Sequence, residues 1–364
     1  MSFSRRRFIE TAALTGVGAA LPRALFARVS PGAAPRRILI LGGTGFIGPH
    51  QVRTAIERGH SVTVFNRGRR GGEGLPPGVE QLTGDRETND YAALRGKTWD
   101  AVIDNSAYVP RWVREALAAL QGSAGQFLYT STCSVYALPN PGVVDEDAPL
   151  ATLADPSSEK VTGESYGGLK VLCEAEARRF GGAVTIIRPH YIVGPEDPTD
   201  RFTYWPVRVK RGGEMLAPGA PQDPFQFVDV RDFAAFAVHL IEQRTAGTFN
   251  AVRPAIPLRQ ALEVMRKVTG AAVSFTWVDT PFLQARKVEM PMWDPPVGDG
   301  LGGMAASSRR AEAAGLHRRP LETTVRDTLV WWEGEPEARR AKPRAFLAAE
   351  KESELLAAWH AAKR

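Results

Sequence analysis

Tyr166 and Lys170 are the residues whose types and spacing best suit chemistry. They lie one helical turn apart in the stretch YGGLK, so a helix would place both side chains on one face. A phenol has a pKa of about 10, and a neighbouring ammonium lowers that pKa by roughly 1 to 3 pH units because it stabilises the phenolate. The pair can therefore exchange a proton with a carbinol oxygen while a hydride leaves or joins its carbon.

Two hydroxyl residues are placed where they can assist this tyrosine. Ser131 and Thr132 directly follow a buried strand pattern at 126–129, and therefore lie at the carboxyl end of that strand. Ligands of open α/β sheets bind at the carboxyl ends of the strands. A hydroxyl from this pair is predicted to hold the substrate oxygen while Tyr166 exchanges its proton.

A glycine-rich loop offers a second kind of site. Residues 42–48 (GGTGFIG) follow an apolar run at 37–41 and open a helical pattern, the context that a dinucleotide fingerprint requires. Glycine permits the tight turn and lets backbone N–H groups approach a pyrophosphate, and the helix N-terminus adds partial positive charge. Gly42, Gly45 and Gly48 form the triplet, which predicts nucleotide binding; a purely structural turn is the alternative.

The end of the second strand pattern bears on the choice between the two nicotinamide cofactors. An acidic residue there would hydrogen-bond the ribose of NAD. Asn66 and Arg67 occupy this place, and Arg67 with Arg69 or Arg70 can pair with a 2′-phosphate, so the sequence favours NADP over NAD. Asp85 is predicted to contact the adenine, with a helix cap as the alternative.

Strands and helices alternate along most of the chain. Short β-branched runs flanked by glycine are typical of buried parallel strands, and helix-spaced apolar residues at 50–58 and 111–119 lie between them. This alternation predicts an α/β fold, a Rossmann-type doubly wound parallel sheet with helices on both faces. The strand patterns lie at 37–41, 61–65, 101–103, 126–129, 184–187 and 247–251.

The character of the sequence changes after residue 190, which sets the predicted domain boundaries. Residues 35–190 are predicted to form the NAD(P)-binding Rossmann domain. Longer segments rich in proline, tryptophan and glycine predict a smaller C-terminal substrate-binding lobe at 191–340, from which a strand at 247–251 returns to the sheet. Residues 341–364 are predicted to end the chain as a helix, whose apolar positions fall between 349 and 362.

The first residues have the pattern of an export signal. The stretch 4–9 (SRRRFI) resembles a twin-arginine motif, with Phe8 two positions after an arginine pair, and a short apolar run and a small-residue region follow. Residues 1–27 are therefore predicted to be a twin-arginine signal peptide and 28–34 a linker, which implies the export machinery as a partner and a periplasmic location. A basic N-terminal helix is the alternative. The apolar run is too short to span a bilayer, so no stable membrane insertion is expected.

Composition and charge exclude several other classes of protein. The 364 residues are 43% hydrophobic and 24% charged, which is ordinary for a globular chain and excludes a collagen-like or disordered one. The 46 Lys and Arg against 40 Asp and Glu leave a formal charge of +6, and basic runs alternate with acidic ones, so no nucleic-acid partner is expected. The two cysteines, Cys133 and Cys173, make no disulfide framework, and no spaced Cys/His cluster predicts a metal site.

Several motifs follow one another in the order of a known enzyme family. Between 36 and 255 the chain resembles the extended short-chain dehydrogenase/reductases, also called NAD-dependent epimerase/dehydratases, in the stretches 42–48, 100–106, 129–136, 166–170, 188–190 and 227–232. The resemblance implies that Thr132, Tyr166 and Lys170 are catalytic. It also implies that Lys170 and the segments 105–107 and 189–191 line the cofactor, although His190 can equally be a packed histidine. The full set of predicted cofactor residues is Gly42, Thr44, Gly45, Phe46, Ile47, Gly48, Asn66, Arg67, Asp85, Asn105, Ser106, Ala107, Lys170, Pro189, His190 and Tyr191.

Two departures from the family pattern narrow the chemistry. Dehydratases of nucleotide sugars carry an Asp-Glu pair directly after the threonine, whereas this chain has Cys133 and Ser134, so elimination of water is not expected. Nucleotide-sugar enzymes often place an arginine at the position of Phe225 to clamp the substrate diphosphate, which a phenyl ring cannot do.

An exported enzyme meets little free nicotinamide cofactor, which favours a redox-neutral cycle on a retained one. The leading hypothesis is that Tyr166 takes a carbinol proton while the hydride goes to NAD(P)+, and that the transient ketone is then reduced again. The substrate is predicted to be a sugar-like or polyol-like small molecule that contacts Arg201, Tyr204 and Trp205. Burial of these aromatic rings in the core of the smaller lobe is the alternative.

Two rival functions and one assembly follow from the same residues. An NADP(H)-dependent carbonyl reductase would need an exchangeable cofactor. A non-catalytic RNA-binding relative is the other rival, because Asn66-Arg67-Gly68 is similar to chloroplast stem-loop-binding proteins, which need no active Tyr/Lys pair; the intact pair and the export signal favour the enzyme. By analogy with the family, a homodimer is predicted through the helices at 111–120 and 166–180.

Overall fold

A computed structural model describes residues 34–69, 74–138, 142–294 and 305–364 of the chain. The predicted signal peptide at 1–27 lies outside the described residues, as does the predicted linker apart from its last residue. The described residues form one compact unit. None of their helices combines the length and the apolar character that crossing a bilayer would take.

The strands of the described residues include long, buried ones and several short pairs. In chain order they are β1 (Arg37–Leu41), β2 (Ser61–Asn66), β3 (Glu80–Thr83), β4 (Trp99–Asp104), β5 (Ala124–Thr130), β6 (Val143–Val144), β7 (Ala183–Pro189), β8 (Tyr191–Val193), β9 (Gly213–Pro218), β10 (Pro224–Phe225), β11 (Phe227–Asp229), β12 (Gly247–Ala251), β13 (Ile256–Pro257), β14 (Val273–Val278) and β15 (Ala305–Ala306).

The helices alternate with these strands. They are α1 (Ile47–Glu57), α2 (Pro110–Ala119), α3 (Tyr166–Ala177), α4 (Tyr204–Lys210), α5 (Val230–Glu242), α6 (Leu258–Thr269), α7 (Thr280–Ala285), α8 (Arg309–Ala313), α9 (Leu321–Gly334), α10 (Glu337–Arg340) and α11 (Ala349–Ala362).

Seven of the described strands form one parallel sheet in the order β12-β7-β5-β4-β1-β2-β3. Residues 38–41 of β1 are fully buried, as expected for a strand that helices cover on both faces. The strand order reverses between β1 and β4, which opens a crevice at the carboxyl ends of these two strands. The predicted Rossmann-type α/β fold is confirmed.

The alternation of side chains along β1 divides the apolar residues between the two faces. Ile38 and Ile40 pack in a core that includes residues of α1 and α5. Leu39 and Leu41 belong to a second core, which α2 and α3 close on the opposite face. The period of two along the strand therefore serves two layers of helices, and the sheet lies between them.

A further hydrophobic core lies in the C-terminal part of the chain, where a smaller lobe is predicted. It joins α4, α6, α9 and α11 to the parallel pair of β9 and β14, and its large members include Phe202, Trp205 and Trp359. β12 leaves this part of the chain and pairs with β7, so the segment at 247–251 forms an edge strand of the main sheet. The domain boundary at 190 stays a prediction.

The helices proposed to form a homodimer interface carry charged side chains that pair within the chain. Arg111 of α2 contacts Glu115 and Glu159, and Arg114 contacts Glu176 of α3 at 3.2 Å. Ion pairs of this kind satisfy the charges on this surface without a second subunit. The dimer through α2 and α3 therefore stays a prediction.

Candidate active site

The predicted site residues meet at one edge of the sheet. The parallel strands β1, β4, β5 and β7 have their carboxyl ends on the same side, at Leu41, Asp104, Thr130 and Pro189. The glycine loop follows the first of these ends, and the other predicted segments follow the next three. The fold thus brings together residues that are far apart in the sequence.

The loop from Gly42 to α1 is a tight turn against the end of β4. Gly42 has a φ of +86°, and its N–H donates to the carbonyl of Phe65 at 2.9 Å. A Cβ on Gly42 would lie 2.8 Å from the Cβ of Ser106, so only glycine fits this approach. α1 begins after Phe46, whose side chain makes no capping hydrogen bond. The first N–H groups of this helix can therefore receive an anionic group.

Two glycines of this loop should respond differently to the same substitution. A Cβ on Gly48 would lie 2.4 Å from the carbonyl carbon and oxygen of Gly43, whereas a Cβ on Gly45 would meet nothing closer than the Gly42 oxygen at 3.8 Å. We expect Gly48→Ala to lower the free energy of unfolding by about 1–3 kcal/mol, because α1 must move away from the turn. Gly45→Ala is the matched control, and thermal unfolding of both variants is the measurement. Equal melting temperatures would contradict this account of the turn.

The end of β2 holds the residues predicted to choose the cofactor. The Asn66 amide oxygen accepts from the N–H of Gly68 at 2.7 Å, and its Nδ2 is buried with no hydrogen-bond partner among the described residues. Arg67 is exposed and lies 3.5 Å from the carboxylate of Glu87. Asp85 accepts from the N–H of Glu87 at 3.0 Å, so its carboxylate stabilises a turn rather than a helix start.

Asn105, the first residue after β4, links three elements of the site. Its Nδ2 donates to Oε1 of Gln51 on α1 at 2.6 Å, and its Oδ1 accepts from the Thr130 hydroxyl at the end of β5 at 2.8 Å. Its backbone N–H donates to the carbonyl of Leu41 at 3.0 Å. The amide therefore fixes the distance between the glycine loop, β4 and β5.

A buried ion pair holds the end of β4. Arg86 donates Nη1 and Nη2 to the two oxygens of Asp104 at 2.7 and 2.6 Å, and the two side chains are 9% and 0% exposed. Arg86 also donates to the Ser106 hydroxyl at 2.7 Å and to the Trp112 carbonyl at 3.0 Å. Burial alone would lower the pKa of Arg86, but the carboxylate of Asp104 raises it above its usual value. The pair thus stays ionised and keeps Ser106 against the loop.

Tyr166 and Thr132 form the centre of the site. Thr132 lies just past β5, where its Oγ1 accepts from the N–H of Ser134 at 3.1 Å, and it is 9% exposed. The side chain of Thr132 acts to lower the pKa of the phenol of Tyr166, the first residue of α3. A Cβ on Gly167 would lie 2.1 Å from the carbonyl of Ser134, so the glycine after the tyrosine lets α3 approach this loop. The start of α3, which bears Tyr166, therefore packs closely on the loop that bears Thr132.

Lys170 joins the ends of β4 and β5 to α3. Its ammonium donates to the backbone carbonyls of Ala107 at 3.1 Å and Thr130 at 2.7 Å, and the residue is 3% exposed. Its Nζ lies 5.7 Å from the centroid of the Tyr108 ring, and that ring lies 6.3 Å from the ring of Tyr166. Burial lowers the pKa of Lys170 to about 8. Three donors on the ammonium leave one beyond these two carbonyls.

The prediction that the Lys170 ammonium lowers the pKa of Tyr166 is wrong. Burial raises the pKa of Tyr166 to about 12, against the lowering effects of the Thr132 hydrogen bond and the charge of Arg201. The Lys170 ammonium donates to two backbone carbonyls, and burial disfavours its charged form. The cation that favours the phenolate is therefore Arg201 rather than Lys170. Desolvation of the phenol outweighs the lowering of the pKa that the helical spacing of Tyr166 and Lys170 suggested.

A second buried ion pair anchors α3 behind the site. Glu174 accepts from Nε and Nη2 of Arg188 at 2.8 and 2.7 Å, and from the Ser131 hydroxyl at 2.6 Å. Nη1 of Arg188 donates to the hydroxyl of Tyr136 at 3.1 Å, which in turn donates to Oδ1 of Asn250 on β12 at 2.6 Å. One polar chain thus runs from α3 across β7 to the edge strand.

The segment after β7 carries further predicted residues. Pro189 is the buried last residue of β7, and the rings of His190 and Tyr191 lie 4.8 Å apart. The guanidinium carbon of Arg201 lies 4.8 Å from the centroid of the Tyr191 ring. Burial raises the pKa of Tyr191 to about 12, while Arg201 acts to lower it. Arg201 therefore stacks on Tyr191 and acts electrostatically on Tyr166.

The prediction that Tyr204 and Trp205 contact the substrate is wrong. Tyr204 is 1% exposed and Trp205 is fully buried, and both belong to the C-terminal hydrophobic core. The indole N–H of Trp205 donates to the carbonyl of Pro291 at 2.9 Å, and the ring of Tyr204 packs on Phe346. These rings are anchored inside the lobe, so a substrate could reach them only if the core opened.

The cysteines show no sign of reactivity. Cys133 and Cys173 are buried, and burial raises the pKa of both thiols, so thiolate formation is disfavoured. Within the described ranges, no three His, Cys, Asp or Glu side chains cluster as a metal site would require.

Three side chains of the site were not predicted from the sequence. Gln51 and Arg86 are polar residues in unremarkable local patterns, and their partners Asn105 and Asp104 are distant in the chain. Tyr108, which is 44% exposed beside Tyr166, follows the predicted cofactor segment directly. Its aromatic type at a strand end was the one local signal for it, since exposed aromatic residues often mark binding surfaces.

Comparison with known proteins gives the class of this chain. Residues 38–251 match the model of the NAD dependent epimerase/dehydratase family, and the chain belongs to that family. A solved enzyme of similar fold is WbmG from Bordetella bronchiseptica in complex with NAD. It is 19% identical, has a TM-score of 0.63, and the match covers 88% of this chain and 100% of that one.

Two curated relatives carry different names. The chloroplast stem-loop binding protein of 41 kDa b from Arabidopsis thaliana is 29% identical, and the match covers 59% of this chain and 58% of that protein. A UDP-glucose 4-epimerase from Azospirillum brasilense is 27% identical, with 46% and 52% covered. The chain thus spans little more than half the length of these relatives.

The residues at the sheet edge fit an NAD-type cofactor. The uncapped start of α1 and the turn at Gly42 suit a pyrophosphate, and the orphaned Nδ2 of Asn66 lies where this fold holds the adenosine ribose. Lys170 retains a donor beyond its two carbonyl partners. Glu87 beside Arg67 provides an acidic neighbour that a 2′-phosphate would have to displace.

Proposed function

We propose that this protein is an epimerase-type oxidoreductase that exchanges a proton between Tyr166 and the carbinol or ketone oxygen of a sugar-like substrate. The observation that carries the proposal is the placement of Tyr166 at the start of α3, Thr132 just past β5 and buried Lys170 between the ends of β4 and β5, at the carboxyl edge of the sheet. Membership of the NAD dependent epimerase/dehydratase family supports the same reaction class.

The chain's own residues divide the work of proton transfer. Thr132 orients the substrate oxygen toward the phenol, as a hydroxyl at hydrogen-bonding distance can do for either partner. Burial raises the pKa of Tyr166 to about 12, which favours the protonated phenol. In the reductive half of the cycle the phenol donates its proton to the ketone oxygen, and in the oxidative half its phenolate takes the carbinol proton back. Lys170 fixes the ends of β4 and β5 and offers its remaining donor to a ribose. When bound, the nicotinamide cofactor supplies or accepts the hydride.

The redox-neutral form of this function depends on a retained cofactor. An enzyme that crosses a membrane folded, as the twin-arginine pattern at 1–27 suggests, would bring its nucleotide with it. Oxidation followed by re-reduction of the same carbon would then need no second redox partner. The buried links between α1, β4 and β5 through Asn105 support tight retention, since they fix the loop that would hold the pyrophosphate.

Mass spectrometry of nucleotide released from the purified full chain tests this proposal. We expect about one nicotinamide nucleotide per chain to remain bound through gel filtration, because hydrogen bonds already fix the glycine loop and the ends of β4 and β5. The mass also decides between the NADP that Arg67 favours and the NAD bound by the solved neighbour. A nucleotide-free protein that turns over added NADPH with a carbonyl substrate would contradict the epimerase and establish the reductase.

The stem-loop binding relative favours one alternative function, the binding of RNA. Electrostatic binding to RNA would show a steep fall of affinity with salt, with a slope that reports the number of phosphate contacts. The grouping of Tyr166, Thr132 and Lys170 at the sheet edge has no role in RNA binding, so we expect no salt-sensitive RNA binding. Retention of a stem-loop RNA at physiological salt, unaffected by Tyr166→Phe, would instead support this alternative.

A further inference from the structure

Arg201 is a cation whose side chain is held in place by a hydrogen bond but has no ion-pair partner among the residues that the structure describes. Its Nε donates to the Thr199 hydroxyl at 3.0 Å. Among the described residues, neither Nη1 nor Nη2 has a hydrogen-bond partner, and no carboxylate lies within ion-pairing distance of Arg201. A half-buried guanidinium with two free donors is suited to bind a planar anion with both of them.

The loop that precedes α4 is built to hold this guanidinium. Asp197 is 1% exposed, and one of its oxygens accepts from both the N–H and the hydroxyl of Thr199, at 2.8 and 2.7 Å. Thr199 therefore donates to Asp197 and accepts from Arg201, which fixes the orientation of its hydroxyl. Two hydrogen bonds in series, through the Thr199 hydroxyl, link the guanidinium of Arg201 to the buried carboxylate of Asp197.

The C-terminal segment fixes the same loop from the other side. Asp200 is fully buried with a φ of +59°, a conformation that non-glycine residues rarely adopt. One of its oxygens pairs with Arg339, and the other accepts from the N–H of Arg344 at 2.8 Å. Because the residue directly before Arg201 is held in this strained conformation, the direction of the arginine is set by the fold.

The guanidinium packs on an aromatic residue of the candidate site. It stacks over Tyr191, with 4.8 Å between the guanidinium carbon and the ring centroid. Tyr191 lies two residues after the carboxyl end of β7, at the sheet edge where the predicted site residues meet. The positive charge of Arg201 also acts to lower the pKa of the Tyr166 phenol. The stacking on Tyr191 therefore places Arg201 at the candidate site.

We propose that the substrate carries a carboxylate close to the reacting carbinol and that Arg201 binds this carboxylate with Nη1 and Nη2. The substrate class is then a hydroxy acid, such as a sugar acid. This inference rests on the proposed function for the identity of the reacting carbon, but the binding of the acid group does not depend on hydride transfer.

A carboxylate suits the charges around Arg201 better than a phosphate does. Asp197 is joined to the guanidinium through Thr199, and the carboxylate of the exposed Asp294 lies 3.4 Å from the hydroxyl of Tyr191, on whose ring the guanidinium stacks. With these two carboxylates nearby, a monoanionic carboxylate would meet less repulsion than a dianionic phosphate. Phe225 is fully buried in the apolar core and adds no cation for a diphosphate.

Binding of matched acid and neutral ligands tests the proposal without any turnover. The probes are glucuronate with glucose, galacturonate with galactose and glycerate with glycerol, titrated calorimetrically into the full chain with NAD present. We expect at least one acid to bind about tenfold or more tightly than its neutral partner, and Arg201→Gln to remove this preference. Arg201→Lys should restore part of it, because the charge remains while the paired geometry is lost.

Two controls separate the possible outcomes. Arg114→Gln removes an exposed arginine of α2 outside the site, so it should leave the preference for acids unchanged. Tyr166→Phe should also preserve the preference, so a failure of the proposed chemistry and a failure of acid binding can be told apart. The proposal is overturned if no acid is preferred, if Arg201→Gln keeps the preference, or if inorganic phosphate competes at lower concentration than every carboxylate.

Discussion

Tyr166→Phe is expected to lower turnover by at least about 100-fold, the usual scale for loss of a positioned acid or base. The variant removes only the phenolic hydroxyl and keeps the ring against Tyr108. Because the phenol is not part of the glycine loop or of the β4 segment, affinity for the nucleotide should remain nearly unchanged. Turnover and nucleotide titration of the same preparation measure the two quantities.

Tyr108→Phe is the matched control for this experiment. It removes a hydroxyl from a neighbouring, 44% exposed ring, and we expect it to retain most of the activity. Wild-type turnover in Tyr166→Phe, or equal losses in both variants, would refute the role of Tyr166 in proton transfer.

Arg86→Met is expected to lower the free energy of unfolding by about 3–5 kcal/mol, the range for breaking a buried ion pair by removal of one partner. Asp104 is fully buried, so its carboxylate would lose both of its contacts with the guanidinium while remaining out of water. Ser106 would lose the same partner. Chemical denaturation of the variant measures the change.

Arg67→Met provides the same substitution in an exposed pair. Arg67 is 48% exposed and lies 3.5 Å from Glu87, so its loss should change stability by less than about 1 kcal/mol. Equal effects of the two substitutions would show that Arg86 and Asp104 do not stabilise the fold through their pairing.

Local sequence patterns predicted the first strand of the sheet and the glycine turn that follows it. The buried run at 37–41 and the glycines after it specify β1 and the turn into α1, because each residue there obeys a rule that neighbours alone decide. No local pattern predicted the bounds of the strand β3 (Glu80–Thr83). It is an edge strand with three of its four residues exposed, so it has no buried apolar period.

The pairs that shape the site could not be predicted in this way. Gln51 with Asn105 and Arg86 with Asp104 are joined by the order of strands in the sheet, and no spacing in the sequence identifies them. The degree to which each side chain is buried could not be predicted from the sequence either. The pattern of Tyr166 and Lys170 predicted the residues of the site, but their pKa values depend on how far the surrounding side chains exclude water.

The polar chain from Glu174 to Asn250 has a consequence for biosynthesis. The ribosome synthesises α3, the helix that bears Tyr166, long before β12. The hydroxyl of Tyr136 therefore lacks its acceptor, Asn250, until that strand has emerged. Pairings between remote segments are slow to form and leave earlier segments unsatisfied in the meantime. Nascent chains that end before residue 250 should therefore attract chaperones, and the active centre should mature only near the close of translation.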